Sequence, residues 1–283
     1  QEKFQQRYAN PIERGDDEDA RRRLKTLIQP FVLRRTKARV LSELPSRTEI
    51  TVPVELSAEE QSLYEATRRN SLEKLTQADD ENAGAKHLRV LAEIMRLRRL
   101  CCNPKLVVAD TPVGSAKLAA FGEILTELLD NDHKALVFSQ FVDHLAIVRD
   151  YLDDRQIPYQ YLDGSTAAKT RKKRVDAFQA GEGDVFLISL KAGGTGLNLT
   201  AADYVIHLDP WWNPAVEDQA SDRAHRIGQQ RPVTIYRLVS QGTIEEKIVD
   251  LHRQKRDLAD SLLDGTDVAG KLSADALLEL IVS

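Results

Sequence analysis

Two arginines and a glutamine in the last third of the chain have the spacing of a phosphate clamp. Arg223 and Arg226 lie three positions apart, and Gln219 lies four positions before Arg223, in a segment that the pattern predicts to be helical over 214–226. Side chains three and four apart share one face of a helix, so we expect all three to project together. A solvated or acid-paired stripe is the alternative. Because the segment follows a strand and ends in Gly228 and Gln229, the phosphate clamp is favoured.

Two short polar loops and one glycine-rich loop offer further anion sites. Residues 139–141 (Ser-Gln-Phe) and 163–166 (Asp-Gly-Ser-Thr) each follow a predicted strand and precede a helix, where backbone amides suit phosphate oxygens. Taken alone, each is simply a capped turn. Residues 191–198 carry three glycines within four positions, which lets backbone N–H groups converge on an anion. Thr195 and Asn198 add polar contacts in that loop.

Adjacent tryptophans follow another predicted strand. Trp211 and Trp212 stand in the sequence Asp-Pro-Trp-Trp-Asn-Pro. Two neighbouring indoles at the end of a strand do not both fit a core, so we expect one to turn outward.

Positive charge is concentrated locally, although the chain as a whole is acidic. The net charge is −4 and the pI about 5.9. Residues 21–47 nevertheless hold nine bases against one acid, and residues 86–105 hold six against one. A third, compact run has no acid: Lys169, Arg171, Lys172, Lys173 and Arg174. A single run is usually a solvated helix face, but three of them favour binding of a polyanion.

The elements that must position these loops form an α/β pattern from residue 115 onward. Apolar runs at 135–138, 185–188, 205–208 and 233–239, with a mixed run at 159–162, alternate with helices over 142–154, 167–180 and 214–226. Buried strands separated by helices predict a parallel sheet covered on both faces, and its ligands bind beyond the carboxyl ends of the strands. Ser115 is expected to cap the helix that opens this region.

The segments on either side of the α/β region read mainly as helix. Residues 59–75 and 86–102 have helical periodicity, residues 48–55 are extended, and a long last helix covers 244–263. We therefore divide the chain into a mostly helical region at 1–114, the α/β domain at 115–240 and a C-terminal segment at 241–283.

Composition excludes several classes of protein. No apolar run approaches the ~18 residues of a membrane-spanning helix, and no secretory signal opens the chain. Cys101 and Cys102 are adjacent, which suits neither a disulfide framework nor a zinc site and indicates a reducing compartment. The chain begins at Gln1 and its only methionine is Met95, so we expect a fragment of a longer protein.

Six segments together carry a family resemblance. The chain resembles the C-terminal helicase-like half of SWI/SNF-type chromatin-remodelling and bacterial ATPases, within helicase superfamily two. The matching segments run almost from end to end: residues 30–35 (Pro-Phe-Val-Leu-Arg-Arg) with Leu44 and Pro45, 137–141, 163–166 with Arg171, 192–200, 209–214 and 219–229. Related RNA helicases usually carry arginine at the position of Gln229 and lack the Trp-Asn-Pro element.

The resemblance implies a RecA-like lobe with defined roles for its loops. In such motors ATP lies between two RecA-like lobes, and closure moves the protein along one strand of duplex DNA. Arg223 and Arg226 would be arginine fingers, Trp212 would couple the DNA and ATP sites, and residues 244–263 would form a brace helix. Nucleotide contacts would come from Gln219, Gly194 and Gly196. DNA phosphates would be held by Ser139, Gln140, Gly164, Ser165, Thr166, Arg171, Lys191, Gly193 and Thr195.

The nucleotide cradle of such motors is not found in this sequence. Residues 265–271 (Gly-Thr-Asp-Val-Ala-Gly-Lys) resemble a P-loop in their glycine and lysine spacing. They are followed by Leu272 instead of Ser or Thr, and they come after a predicted helix instead of a strand, so we interpret them as a linker. Asp17-Glu18-Asp19 follows no apolar strand and is not a magnesium motif. We therefore expect ATP and Mg²⁺ to be held mainly by a first lobe and the chain alone to be inactive; we assign no metal ligand to it.

The expected partners are double-stranded DNA, the N-terminal lobe of the same parent chain and a possible protein substrate on DNA, with no membrane. Localisation would be cytoplasmic and nucleoid-associated in a bacterium, or nuclear in a eukaryote. Two alternatives remain open: a non-catalytic DNA- or protein-binding RecA-like module, and lobe two of a strand-separating helicase.

Overall fold

The computed structural model describes residues 5–9, 11, 17–28, 44–77, 83–192, 196–251 and 274–282, which fall into two compact units. The first unit comprises residues 1–43 with 253–265, and the second 44–252 with 266–283. In the first unit a π-helical turn at Gln5–Ala9 is followed by helix α1, Glu18–Ile28. Asp17 caps α1, since its carboxylate accepts from the N–H groups of Asp19 and Ala20 at 3.0 Å. Residues 30–35, which carry part of the resemblance, lie outside the described residues.

The second unit contains one six-stranded, entirely parallel sheet. Its strands are β1 (Arg47–Val54), β2 (Ala135–Ser139), β3 (Tyr159–Leu162), β4 (Val185–Ser189), β5 (Tyr204–His207) and β6 (Val233–Ser240). Their order across the sheet is β1-β6-β5-β2-β4-β3. The five strands predicted after residue 115 are all present, and their ends differ from the prediction by no more than one residue.

The extended segment at 48–55 belongs to this sheet. As β1 it pairs along its whole length with β6, from Arg47 opposite Val233 to Val54 opposite Ser240. Its position was not predicted, because a strand that alternates polar and apolar residues carries no information about its partner.

The helices cover both faces of the sheet and one end of it. They are α2 (Ala58–Thr76), α3 (Ala83–Cys102), α4 (Ala116–Asp130), α5 (Val142–Asp154), α6 (Ala168–Gln179), α7 (Pro214–Ser221), α8 over 244–251 and α9 (Ala274–Val282). The predicted cap at Ser115 is confirmed, with its hydroxyl accepting from the N–H of Leu118 at 3.2 Å. Residues 252–263 of the predicted last helix lie outside the described residues. Among the described helices, none combines the length and the apolar composition that crossing a membrane requires.

The sheet is buried on both faces. Leu136, Phe138 and Ile188 pack in one cluster, whereas the alternate residues Val137 and Leu187 pack in the other. This follows from the two-residue period of a strand, and it explains why β2 and β4 are apolar at nearly every position. The α/β fold class predicted from the sequence is confirmed.

A third apolar cluster joins the helices outside the sheet. It contains Tyr64 and Ile94 of α2 and α3, Ile244 of α8, and Leu277 and Ile281 of α9. The short helix α9 was not predicted.

Candidate functional site

The loops singled out in the sequence leave neighbouring strands at one edge of the sheet. In the sheet order β2 lies between β5 and β4, so the loops that follow Ser139, Ser189 and His207 start side by side. The carboxyl ends of parallel strands share one edge, and this edge is where α/β folds bind ligands.

Asp209, just after β5, ties two of these loops together. One of its carboxylate oxygens accepts from the hydroxyl of Ser139, and the other accepts from the N–H of Gln140 at 3.2 Å. The carboxylate is buried, which raises its pKa to about 6 against the opposing influence of Arg98. The loop after β2 is thereby fixed to the loop after β5.

Arg98 of α3 approaches the same buried carboxylate. It is 0% exposed, and one guanidinium nitrogen lies 4.0 Å from Asp209 and donates to the carbonyl of Pro210. Its Cζ lies 5.4 Å from the ring centroid of Trp212 and 5.6 Å from that of Phe141. A fully buried arginine is costly unless paired, so this contact fixes helix α3 against both loops.

Sequence reasoning did not single out Arg98. A signal was present, because Arg98 lies four residues after Ile94 and three before Cys101, both of which are buried. A charged residue on the apolar face of a helix requires a buried partner.

The two tryptophans are in different environments, as expected. Trp212 is buried at 4% exposure and belongs to the helical cluster, whereas Trp211 is only half-buried. The backbone N–H of Trp211 donates to Glu217 at 2.6 Å, and Glu217 also accepts from Arg237 at 2.7 Å. The Trp loop, residues 209–213, is therefore held by buried charges on both sides.

Cys102, His144 and Asp209 bring three potential metal-ligating atoms within 4.8 Å of one another, all buried. However, Asp209 already accepts from Ser139 and Gln140. Burial, with a contribution from the positive charge of Lys117, lowers the pKa of His144 to about 3. Arg98 also lies beside this carboxylate. A further cation would meet two buried positive charges, so the donor set does not fit a metal ion.

The two clamp arginines do not lie on one helix face. Helix α7 ends at Ser221, and Arg223 and Arg226 follow in a series of turns, so the prediction of a continuous helix over 214–226 is wrong. Beyond Ser221 the backbone N–H groups of Arg223 and Ala224 bond to carbonyls only three residues back, so the helix gives way to tighter turns. The carbonyl of Arg223 accepts from the N–H of Leu199 at 3.0 Å, and that of Ala224 accepts from the Gln229 side chain at 3.1 Å.

Gln229 is the buried anchor of this arginine turn, residues 222–229. Its Nε2 also donates to the carbonyls of Thr200 at 3.2 Å and Ala202 at 2.8 Å. At the other end of the turn, Asp222 pairs with Arg47 at 3.3 Å. Gly228 completes the turn with φ of +101°, a value that L side chains rarely adopt.

Arg223 is a buried cation that forms no ion pair within 4 Å with the described residues. It is 6% exposed, its Nε has no hydrogen-bond partner, and no carboxylate of the described residues lies within 4 Å of its guanidinium. Burial and the nearby positive charge of Arg226 lower its pKa, against the opposing influence of Asp222. Arg226 is exposed, and its Nη1 donates to the carbonyl of Leu197 at 3.2 Å. Two adjacent guanidinium groups, one of them buried, favour binding of an anion between them.

The remaining nucleotide residues are only partly described. Gln219 is exposed on α7, two residues before the helix ends. Gly196 has φ of +53° and its carbonyl lies 3.4 Å from Nη1 of Arg226. Gly193, Gly194 and Thr195 lie outside the described residues.

The Ser139–Phe141 loop has its polar groups turned inward. Ser139 is 1% exposed, its hydroxyl donates to Asp209 and accepts from the N–H of Phe141 at 3.1 Å. The loop amides expected to bind phosphate are thus used inside the protein. We interpret Ser139 as a support of the loop, with the side chain of Gln140 half-buried beside it.

Asp163 organises the loop after β3 in a similar way. Its carboxylate accepts from the hydroxyls of Ser165 at 2.7 Å and Thr166 at 3.1 Å, and these bonds lower its pKa to about 2. Gly164 and Ser165 are exposed, and an open cavity of about 640 Å³ lies beside them. Helix α6, which follows, carries Arg171 together with exposed Lys169, Lys172 and Lys173.

Comparison with known families matches two segments of the chain. Residues 1–106 match the SNF2-related domain, and residues 116–228 match the helicase conserved C-terminal domain. The chain is 38% identical over 285 residues to the putative ATP-dependent helicase/translocase YwqA of Bacillus subtilis, covering 98% of this chain and 31% of that protein. It spans about a quarter to a third of the length of the curated relatives it matches.

Two solved structures from Sulfolobus solfataricus have the same fold. A SWI2/SNF2 ATPase C-terminal domain is 30% identical with a TM-score of 0.67, covering 83% of this chain and 98% of that one. A SWI2/SNF2 ATPase core in complex with double-stranded DNA is 32% identical with a TM-score of 0.68, covering 98% of this chain and 59% of that one.

Proposed function

Because the chain belongs to the SWI2/SNF2 family of helicase-like ATPases and translocases, we propose that it is the second motor lobe of an ATP-dependent translocase on double-stranded DNA. ATP and Mg²⁺ would be bound mainly by a first lobe, since this sequence has no P-loop after a buried strand. The lobe described above would contribute the residues that complete the site when the cleft closes.

The observation that carries the proposal is the state of Arg223. A guanidinium that is buried, with no carboxylate of the described residues within 4 Å, and beside a second guanidinium is unfavourable in the isolated lobe. It becomes favourable when phosphate oxygens arrive, because planar guanidinium groups bind them bidentately. The structural alternative, in which both arginines form salt bridges, has no support among the described residues.

The proposed role of these residues is to stabilise the negative charge that develops during phosphoryl transfer. Nucleophilic attack on the γ-phosphorus spreads negative charge over the equatorial oxygens, and donors fixed in advance stabilise that charge at little reorganisation cost. Arg223 is held by the arginine turn, and Arg226 is exposed and able to extend. Gln219 lies on the helix before the turn, where it would contact the nucleotide or the attacking water.

The proposed DNA contacts lie on the same sheet edge. Gln140, Gly164, Ser165, Thr166 and Lys191 follow strand ends, and Arg171 lies one turn into α6. They would bind phosphates and would not read sequence, since phosphate contacts position a protein on DNA without specifying its bases. The similar core that is solved with double-stranded DNA supports this class of partner.

The Trp loop would couple the two functions. Asp209 joins it to the DNA loop at Gln140, and Glu217 joins it to α7, which leads into the arginine turn. Trp212 and Arg98 tie the same loop to α3. The coupling would therefore be carried by Asp209, Glu217 and the buried indole of Trp212.

The decisive experiment is ATP turnover of the full-length, two-lobe protein with Arg223→Ala, Arg226→Ala and both. Arginine fingers contribute about 10³–10⁵ in rate, so each single variant should lose most turnover while ATP and DNA binding stay nearly intact. The double variant should be far less than additive if the pair acts as one clamp. Lys substitution should not rescue either site.

The melting temperature of each variant, measured on the same preparation, separates the finger role from a structural one. A well-folded Arg226→Ala protein that keeps more than about a tenth of wild-type kcat, far above a finger-sized loss, would reject the assignment.

A further inference from the structure

A cavity of about 270 Å³ opens among the loops that follow β2, β4 and β5. Its lining consists of Gln140, Leu190, Lys191, Trp211, Asn213 and Val216. It is smaller than the roughly 300–1,000 Å³ typical of pockets for drug-sized ligands, so it suits a single ring system better than a whole nucleoside triphosphate.

The cavity has one fixed aromatic wall. The ring centroid of Trp211 lies 5.7 Å from Cζ of the buried Arg98, and the backbone N–H of Trp211 is held by Glu217 at 2.6 Å. Leu190 is buried and Val216 is half-buried beside it. An indole fixed in this way offers a stacking surface without a further loss of side-chain freedom on binding.

The polar groups of the cavity are an amide and an ammonium. Nε2 of Gln140 is buried and has no hydrogen-bond partner among the described residues, whereas Lys191 is exposed at the cavity. A buried donor without a partner is unfavourable and points to an acceptor supplied by a ligand. The exposed ammonium suits a phosphate next to that ligand.

We propose that this cavity takes one nucleobase that has left the base stack of the bound DNA. The inference rests on the proposed function, because it assumes that DNA lies across these loops. Every base has a π-face for Trp211 and a ring nitrogen or carbonyl that can accept from Gln140, so the cavity would tolerate all four bases. Lys191 would contact the flanking phosphate.

The cost of unstacking determines which DNA the cavity prefers. Taking a base out of an intact duplex costs free energy, and the cost is least for a base that is already unpaired. The chain should therefore prefer a duplex with one extrahelical base over the same duplex fully paired.

The test uses the 283-residue chain and a 20-base-pair duplex, either fully paired or with one bulged 2-aminopurine. The bulged duplex should bind about tenfold more tightly, within the range that one base–aromatic stack supplies, and the 2-aminopurine fluorescence should fall on binding. Equal affinities without quenching would overturn the base site while leaving duplex binding intact. Failure of both duplexes to bind would instead count against the proposed function.

Two variants locate the effect. Val216→Phe fills the cavity and Trp211→Leu removes the stacking surface, so each should abolish the preference and the quenching while the paired duplex binds as before. Val108→Phe, at an exposed valine outside the cavity, is the matched control. If the preference survives in a folded Val216→Phe protein, the flexibility of bulged DNA explains it and the inference is wrong.

Discussion

At Arg98 a single side chain meets an aspartate, a backbone carbonyl and three aromatic rings, all contributed by the two loops at the sheet edge. Replacing one partner of such a buried ion pair affects stability very differently from replacing both. Replacing both partners by neutral groups of similar size is often harmless, whereas removing one leaves a buried charge uncompensated.

Arg98→Met should therefore lower the free energy of unfolding by about 3–5 kcal/mol. Arg98→Met combined with Asp209→Asn should recover most of that loss, because the remaining carboxylate charge is gone. Urea unfolding of the wild type, both single variants and the double variant gives the coupling directly. Strictly additive effects would mean that Arg98 acts through packing alone.

Two buried histidines make stability depend on pH. Burial lowers the pKa of His144 to about 3 and that of His207 to about 4, whereas an unfolded histidine titrates near 6.5. The unfolded chain thus binds more protons between about pH 6.5 and 4, so each histidine lowers stability by about 1.4 kcal/mol per pH unit as pH falls. Asp209, with a folded pKa of about 6, acts in the opposite direction over the same window.

We expect the free energy of unfolding to decrease from pH 6.5 to pH 4.5, and His144→Leu to remove about one histidine's share of that slope. Leucine also removes Nδ1 of His144, a buried atom without a hydrogen-bond partner. Unfolding curves at pH 6.5, 5.5 and 4.5 measure the slope. An unchanged slope in the variant would show that His144 is protonated in the folded protein.

Among the elements, the arginine turn has the clearest functional consequence. Gln229 fixes it through three carbonyls, so Gln229→Ala should destabilise the protein by about 1–3 kcal/mol, the usual cost of leaving buried polar groups unsatisfied. ATP turnover of the two-lobe protein should fall with it, because Arg223 would lose its fixed position.

Gln230→Ala is the matched control, because the neighbouring Gln230 is exposed. Normal turnover in a folded Gln229→Ala protein would show that catalysis does not depend on the arginine turn.

The elements show why some features could be predicted and others could not. Strands such as β2 and β4 are buried on both faces and bounded by polar loops, so their apolar runs identify them directly. Beyond the end of α7 the backbone forms three-residue turns, and the carbonyls there accept from Leu199 and Gln229, contacts that local periodicity cannot detect. For the same reason, the sequence predicted correctly that Arg223 and Arg226 are neighbours but wrongly placed both on a continuous helix.

At the scale of the whole molecule, the net charge of −4 makes DNA affinity depend on a few local cations. We expect duplex DNA to bind without sequence preference, with a Kd of about 10⁻⁴–10⁻⁶ M at physiological salt and a steep loss as salt rises. Replacing Arg171, Lys172 and Lys173 by alanine should weaken binding and reduce the salt dependence.

The control for that triple variant is Arg155→Ala, since Arg155 precedes β3 and lies at the opposite edge of the sheet. Fluorescence anisotropy at several salt concentrations measures both quantities. Salt-independent binding would contradict phosphate contacts.

The isolated 283-residue chain should not hydrolyse ATP above background, with or without DNA, because the proposed first lobe supplies the phosphate cradle. A coupled-enzyme assay tests this with Arg226→Ala as the control. Turnover that disappears in that variant would show that the chain carries a complete site.

The pairing of β1 with β6 joins the first described strand to the last. During synthesis, β1 leaves the ribosome long before β6, its neighbour among the described strands, exists. At roughly 5–20 residues per second, the interval between the two strands is on the order of ten seconds or more. Throughout that time β1 presents an unpaired edge, the kind of surface that associates with other chains. The exposed polar residues of β1 favour its solubility before β6 is made, as does the ion pair between Arg47 and Glu49.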